Sequence, residues 1–102
     1  MGKRHIYQSV GGVTDIREIN RKIRKEVARA KTRAQLTELH KRSMYLVTLC
    51  HAPAWKEAFR SKIAKMKKAA QEEFTKTARA INRSAEKLGL RADYDTKWGP
   101  GR

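Results

Sequence analysis

Apolar residues recur at steps of three and four along most of this chain, which is the spacing of one face of an α-helix. The first such stripe consists of Ile16, Ile19, Ile23, Val27, Ala30 and Ala34. Asp15 and Glu18 stand at its start with the spacing of a capping box, although Asp replaces the usual Ser or Thr. The pattern predicts a first helix over residues 15–31.

The apolar spacing then changes phase, which indicates a second helix. The next apolar set consists of Leu36, Leu39, Leu46, Val47 and Cys50. Thr32 and Gln35 have the S/T-x-x-Q form of a capping box just before this set. We therefore expect a break near residues 31–33 and a second helix over residues 33–51. The alternative is one continuous helix whose buried face rotates along its length.

The third stripe is the longest and contains no helix-breaking residue. Its members are Trp55, Phe59, Ile63, Met66, Ala70, Phe74, Thr77, Ile81, Ala85 and Leu88. Pro53 suits the first turn of a helix, whereas Gly89 and Leu90 suit the cap that closes one. The stripe predicts one unbroken helix over residues 53–88, about 54 Å long at a rise of 1.5 Å per residue.

These elements predict an all-α fold, either an elongated antiparallel helical hairpin or a three-helix bundle, with one long C-terminal helix. The first two helices together match the third in length, so we expect them to run antiparallel along it. The predicted organisation is a flexible N-terminal segment (1–13), a helical domain (14–90) and an irregular C-terminal tail (91–102). Tyr94 and Trp98 of the tail are expected to pack on the bundle, the alternative being exposure to a partner.

The composition limits the size of the core. Ile, Val, Leu and Phe together contribute 18 of the 102 residues, which excludes the core of a large enzyme. A shallow core favours a homodimer or higher oligomer. The single cysteine excludes an intramolecular disulfide and suits a reducing compartment. With no apolar run of the length of a signal peptide or a bilayer span, a cytoplasmic location is expected.

The net charge points to a polyanionic partner. The chain has 25 Lys and Arg against 10 Asp and Glu, a formal net charge of +15. Because the two halves carry +8 and +7, the charge belongs to the folded body and not to a tail. Its self-repulsion is relieved by a polyanion, of which nucleic acid is the commonest. The alternative is a solvated thermophilic surface, but such surfaces usually balance Lys and Arg with Glu, whereas here the ratio of basic to acidic residues is 25 to 10.

Two predicted helices carry rows of cations opposite their apolar stripes. The first helix has Arg17, Arg21, Arg24, Lys25 and Arg29, and the third has Lys65, Lys68, Lys76, Arg79, Arg83 and Lys87. Rigid rows of this spacing can follow the phosphates of a nucleic acid and release its counter-ions. We therefore predict a small, basic, helical nucleic-acid-binding protein that contacts the backbone with little sequence preference, either DNA or RNA. Stacking of bases on Tyr94 or Trp98 would add a preference for single strands.

Catalysis has little support in the sequence. His5, His40 and His51 lack the spacing of metal ligands, and Cys50 is expected to be a small buried hydrophobe. We therefore expect no enzyme activity, no cofactor and no metal. The alternative function is a non-enzymatic helical adaptor or structural subunit that binds an acidic protein or self-assembles. A membrane surface is disfavoured, because the apolar stripes are needed for the core.

Overall fold

The computed structural model describes residues 10–98, and within them the chain forms four helices. They are α1 (Val13–Val27), α2 (Arg33–Cys50), α3 (Pro53–Ala58) and α4 (Ile63–Lys87). This part of the chain contains no strand, which confirms the predicted all-α class with a long C-terminal helix. The predicted N-terminal segment lies largely outside the described residues.

The long helices α1, α2 and α4 form a three-helix bundle. One core cluster joins Ile16 near the start of α1 to Cys50 at the end of α2 and to Met66 near the start of α4. The other cluster joins Val27 at the end of α1 to Leu36 at the start of α2 and to residues near the end of α4. Helix α2 is therefore antiparallel to both α1 and α4, which run parallel to each other.

The expected course of the first two helices is wrong. They do not run end to end along the third helix but lie side by side, and each packs against α4. The described chain measures 43 by 30 by 19 Å, so it is shorter than the predicted rod. The three-helix bundle is more stable than the end-to-end arrangement because the apolar stripes of all three long helices bury more surface when they meet along one axis.

The predicted break between the first two helices is confirmed. Helix α1 ends at Val27, and Thr32 caps α2 by accepting a hydrogen bond from Gln35 N at 3.2 Å. The Gln35 side chain completes the capping box by accepting from Thr32 N at 3.2 Å. The capping box expected at Asp15 is wrong, because α1 starts at Val13 and Asp15 Oδ2 instead accepts from Gly11 N at 2.7 Å.

The predicted unbroken helix over residues 53–88 is also wrong. Helix α3 ends at Ala58, and a turn over residues 59–62 separates it from α4. Phe59 leaves helical geometry, with φ −117° and ψ 28°. A straight 36-residue helix would project well past α2, whose 18 residues span about 27 Å. The turn instead packs Trp55 and Phe59 against the end of the first core cluster, with their ring centroids 5.4 Å apart.

Most of the apolar stripe residues lie in the core. Those buried are Ile23, Val27, Leu36, Leu39, Leu46, Met66, Phe74 and Ile81, whereas Ile19, Trp55, Phe59 and Ile63 are partly buried against it. Leu88 is 37% exposed, because it follows the last turn of α4. The predicted cap is confirmed: Gly89 has a φ of 72°, and Leu90 N donates to Ala85 O at 2.8 Å.

The tail over residues 91–98 has no regular structure and lies between α2 and α4. The backbone of Tyr94 pairs with the Asn82 amide in both directions, at 2.9 and 3.0 Å. The Tyr94 hydroxyl is 2.7 Å from Thr37 Oγ1, and Trp98 Nε1 donates to Thr48 Oγ1 at 2.9 Å. Tyr94 therefore packs on the bundle, as predicted, whereas Trp98 stays exposed and is held to α2 by its hydrogen bond.

Candidate nucleic-acid interface

The cations predicted on the third helix all lie on the solvent-facing side of α4. Its opposite side buries Met66, Phe74 and Ile81 against α1 and α2. The exposed residues are Lys65, Lys68, Lys76, Arg79, Arg83 and Lys87. Of these, only Lys76 forms an ion pair with another of the residues 10–98. Five exposed cations of one helix face therefore form no ion pair with another of residues 10–98, although Glu72 and Glu86 are exposed on the same helix. We call Lys65, Lys68, Arg79, Arg83 and Lys87 the α4 row.

The cations predicted on the first helix are placed less uniformly. Arg17 and Lys25 are exposed on α1, and Arg29 is exposed in the turn that follows it. Arg21 pairs with Glu18 at 2.6 Å, and this hydrogen bond is the main reason that the pKa of the Glu18 carboxyl lies below its usual value. Helix α1 thus adds fewer uncompensated charges to the surface than α4 does.

Arg24 turns inward from the α1 surface and joins the two predicted rows. Its guanidinium donates to Glu73 Oε1 at 3.0 Å and to Thr77 Oγ1 at 3.2 Å. The Glu73 side chain is only 6% exposed, and its other oxygen accepts from Lys76 Nζ at 3.4 Å. Because one carboxylate holds a cation from each helix, the cations of α1 and α4 lie on adjoining surfaces.

A buried polar cluster beneath this ion pair was not foreseen from the sequence. Asn20 Oδ1 accepts hydrogen bonds from Ser43 Oγ at 2.5 Å and from Thr77 Oγ1 at 3.0 Å. The three side chains belong to α1, α2 and α4 and are at most 1% exposed. The sequence does carry a sign of it, because Asn20 lies one turn from both Ile16 and Ile23, on the apolar stripe. The cluster fixes the relative rotation of the three helices that present the cations.

Replacing Arg24 is expected to affect folding more than the surface charge. Arg24→Ala removes the closest partner of the buried Glu73 carboxylate, so we expect a loss of about 1–3 kcal/mol in unfolding free energy. Arg17→Ala removes the same charge from an exposed position, where about 0.5 kcal/mol or less is expected. Urea denaturation of both variants measures the difference. Equal stability of the two variants would contradict a structural role for Arg24.

Several ion pairs lie on the other two faces of the bundle. Between α1 and α2, Arg42 lies 3.2 Å from Glu26 and 3.8 Å from Glu38. Between α2 and the tail, Arg33 lies 2.6 Å from Asp93, whose pKa is lowered chiefly by that hydrogen bond. Lys22 on α1 and Lys41 on α2 are also exposed without an ion pair among residues 10–98, but α4 carries more such cations than either of these helices.

Tyr94 is not available to stack on bases, contrary to one expectation above. It is 9% exposed, the Arg33 guanidinium lies 4.3 Å from the centre of its ring, and its ring centroid is 5.0 Å from that of His40. Trp98 is 36% exposed, although its indole nitrogen is engaged by Thr48. Single-strand stacking by the tail therefore depends on Trp98 alone.

Cys50 and His40 are buried side chains that contribute to the packing of the bundle. Cys50 is fully buried, as predicted, and burial raises the pKa of its thiol to about 11. His40 Nε2 donates to Asp95 O at 2.9 Å, and its ring lies 5.2 Å from that of Phe74. Nowhere in residues 10–98 do three His, Cys, Asp or Glu side chains converge in a way that could hold a metal ion.

Comparison with known protein families, curated proteins and solved structures gives no match to this chain. Across the described residues, none of the helices is both long enough and apolar enough to cross a bilayer.

Proposed function

We propose that this protein binds nucleic acid through the sugar–phosphate backbone, with little sequence preference and without catalysing a reaction. The observation that carries the proposal is the α4 row, five exposed cations that form no ion pair with another of residues 10–98. Such a row is costly to keep in isolation, because like charges repel, and a polyanion removes that cost. A cytoplasmic location belongs to the same proposal.

The spacing of the α4 row supports contact with a phosphate backbone. Arg79, Arg83 and Lys87 follow one another at intervals of four residues, which is about 6 Å along a helix. The helix holds their backbones rigid, and the long side chains adjust to phosphates at either side. Contacts of this kind position a protein on nucleic acid but do not distinguish bases. The arrangement therefore favours binding without sequence readout.

Helix α1 supplies the second set of contacts in this proposal. Arg17, Lys25 and Arg29 are exposed, and the shared Glu73 carboxylate brings α1 beside α4. Arg24 contributes to the surface by holding α1 and α4 together. Arg21 would contribute by leaving its ion pair with Glu18 and binding a phosphate instead. Two adjoining helices make a broader cationic surface than one row, and breadth favours a duplex or a folded RNA over a short anionic peptide.

A homodimer or higher oligomer stays a prediction. The prediction rested on a shallow core, but the three long helices close a core within one chain. In this core Leu36, Leu46, Met66 and Phe74 are 0% exposed. A second copy would nonetheless double the number of cations facing one polyanion. We retain it as part of the proposal on that ground.

The proposal is tested by titrating labelled duplex DNA, single-stranded DNA and structured RNA with the protein at about 100 mM salt. We expect dissociation constants of about 10⁻⁴ to 10⁻⁶ M or tighter, the usual range of backbone-directed binding. Poly-glutamate of similar charge is the control polyanion. Affinities weaker than about 100 µM for all three nucleic acids would contradict the proposal. Tighter binding of poly-glutamate than of any nucleic acid would favour an adaptor for an acidic protein.

A further inference from the structure

We propose that Tyr45 of α2 and Trp98 of the tail form a platform on which unpaired bases of a nucleic acid stack. The inference rests on the proposed function, because the α4 row holds the phosphates of the same strand. It adds a substrate class to that function, since only unpaired bases, as in a single strand or a loop, offer their faces to an aromatic ring. We call Tyr45 and Trp98 the aromatic platform.

The aromatic platform contains the two most exposed aromatic side chains among residues 10–98. Tyr45 is 47% exposed and Trp98 is 36% exposed. The other aromatic side chains of this range are buried in the core or packed against it. Because Tyr and Trp side chains contribute large contact areas to binding sites, two of them exposed in one place indicate a binding surface.

Thr48 brings the two rings of the platform to the same place. The indole Nε1 of Trp98 donates a hydrogen bond to Thr48 Oγ1 at 2.9 Å. Tyr45 precedes Thr48 by three residues in α2, so the Cβ atoms of these two residues lie about 5–6 Å apart on the helix surface. The tail therefore places the Trp98 ring beside Tyr45, on the outer surface of α2.

Trp98 is held in a fixed position although it is not buried. The Gln71 amide of α4, in the orientation that satisfies both of its polar atoms, pairs with the backbone of Trp98 and accepts from its N at 3.2 Å. Two residues earlier in the tail, Thr96 O accepts from Thr75 Oγ1 at 2.7 Å. The indole N–H lies in the plane of the ring, so its hydrogen bond to Thr48 leaves the ring faces available for stacking. A ring that is already fixed loses little freedom when a base binds.

The platform adjoins the start of the α4 row. Gln71, which pairs with the Trp98 backbone, follows Lys68 of that row by three residues and is its neighbour on the surface of α4. A strand with a phosphate at Lys68 can therefore place its next bases on Trp98 and then on Tyr45. The phosphate contacts and the stacking contacts would then belong to one continuous path across the tail.

The surroundings of the platform favour nucleic acid over a protein as its occupant. A stable protein interface buries about 800 Å² on each partner and usually has an apolar centre. The third exposed large apolar side chain, Leu88, lies at the other end of α4 and does not extend the platform. Aromatic rings beside a row of cations are instead the combination that single-strand binding sites use.

The first test compares a single strand with a duplex. In the double variant Tyr45→Ala with Trp98→Ala, stacking on two rings is lost, so binding of oligo-dT at about 0.1 M salt should weaken by at least about 25-fold. Binding of a duplex of the same length should change by only a few-fold, because paired bases do not stack on the platform. Leu88→Ala removes a side chain of similar exposure elsewhere and should leave both affinities unchanged. An equal loss for both nucleic acids, or no loss for oligo-dT, would overturn the inference.

The second test uses the fluorescence of Trp98 in a protein that keeps its platform. With Trp55→Phe, Trp98 is the single tryptophan of the chain, and stacking of a base should quench its emission. We expect quenching by oligo-dT in parallel with binding measured by anisotropy, and far less quenching by the duplex. Binding of oligo-dT without quenching would overturn the inference and leave the proposed function standing, whereas absence of binding to any nucleic acid would overturn both. A change in emission with protein concentration alone would assign the platform to a contact between copies and would also overturn the inference.

Discussion

Phe74→Ala is expected to lower the free energy of unfolding by about 3–5 kcal/mol. Phe74 is 0% exposed and lies in the core cluster that joins α1, α2 and α4. Its loss leaves a cavity that neighbours on three rigid helices cannot fill. The total free energy of unfolding of a small domain is only about 5–15 kcal/mol, so the variant will be close to unfolding at 37 °C. Urea denaturation followed by circular dichroism at 222 nm gives the difference.

Phe59→Ala is the matched control for this substitution. An unbroken apolar stripe makes the two phenylalanines equivalent, but the structure leaves Phe59 only partly buried at the turn between α3 and α4. We expect a loss of about 2 kcal/mol or less, because less apolar area leaves water at that position. If Phe59→Ala destabilised the protein as much as Phe74→Ala, the placement of the turn would be wrong.

Charge reversal of the α4 row is expected to have the largest effect on binding. In the triple variant Lys68→Glu, Arg79→Glu and Arg83→Glu, three phosphate contacts are lost. Each contact contributes about 0.9 to the slope of log K against log salt, which is about 0.9 of a log unit in K at 0.1 M relative to 1 M salt. Loss of three contacts therefore weakens binding roughly 500-fold before repulsion is added. The three side chains are exposed and face away from the core, so helicity should be retained. Fluorescence anisotropy with duplex DNA measures the affinity, and circular dichroism checks the fold.

A second triple variant separates location from net charge. Lys22, Lys31 and Lys41 are exposed and lie outside the predicted rows, and their reversal to Glu gives the same net charge of +9. If the α4 row is the interface, this control should lose far less affinity than the row variant. Equal losses in the two triple variants would show that binding follows total charge and is not localised on α4.

The parts of the fold that sequence predicts well are those specified by neighbouring residues. Thr32 and Gln35 form the capping box that starts α2, and Gly89 and Leu90 form the cap that ends α4. In both cases the hydrogen bonds join residues within five positions of each other. The residue types that form each cap are therefore close together in the sequence, and the sequence predicts both helix ends.

The parts that sequence misses are those set by the lengths and contacts of distant elements. Residues 59–62 include neither Gly nor Pro, so nothing local indicates the turn between α3 and α4. The turn follows from the length of α2, which leaves no partner for a longer straight helix. Likewise, Arg24 has the same spacing as the exposed Arg17 and Arg21. Only the packing of α1 on α4 pairs it with Glu73, 49 residues away.

The most direct test of the central claim is the salt dependence of nucleic-acid binding by the unmodified protein. The association constant for duplex DNA is measured at several salt concentrations between about 50 and 200 mM. If the cations of α1 and α4 neutralise about five phosphates, a plot of log K against log salt has a slope of about −4 to −5. A slope near zero, with binding unchanged across the series, would contradict backbone contact through these rows.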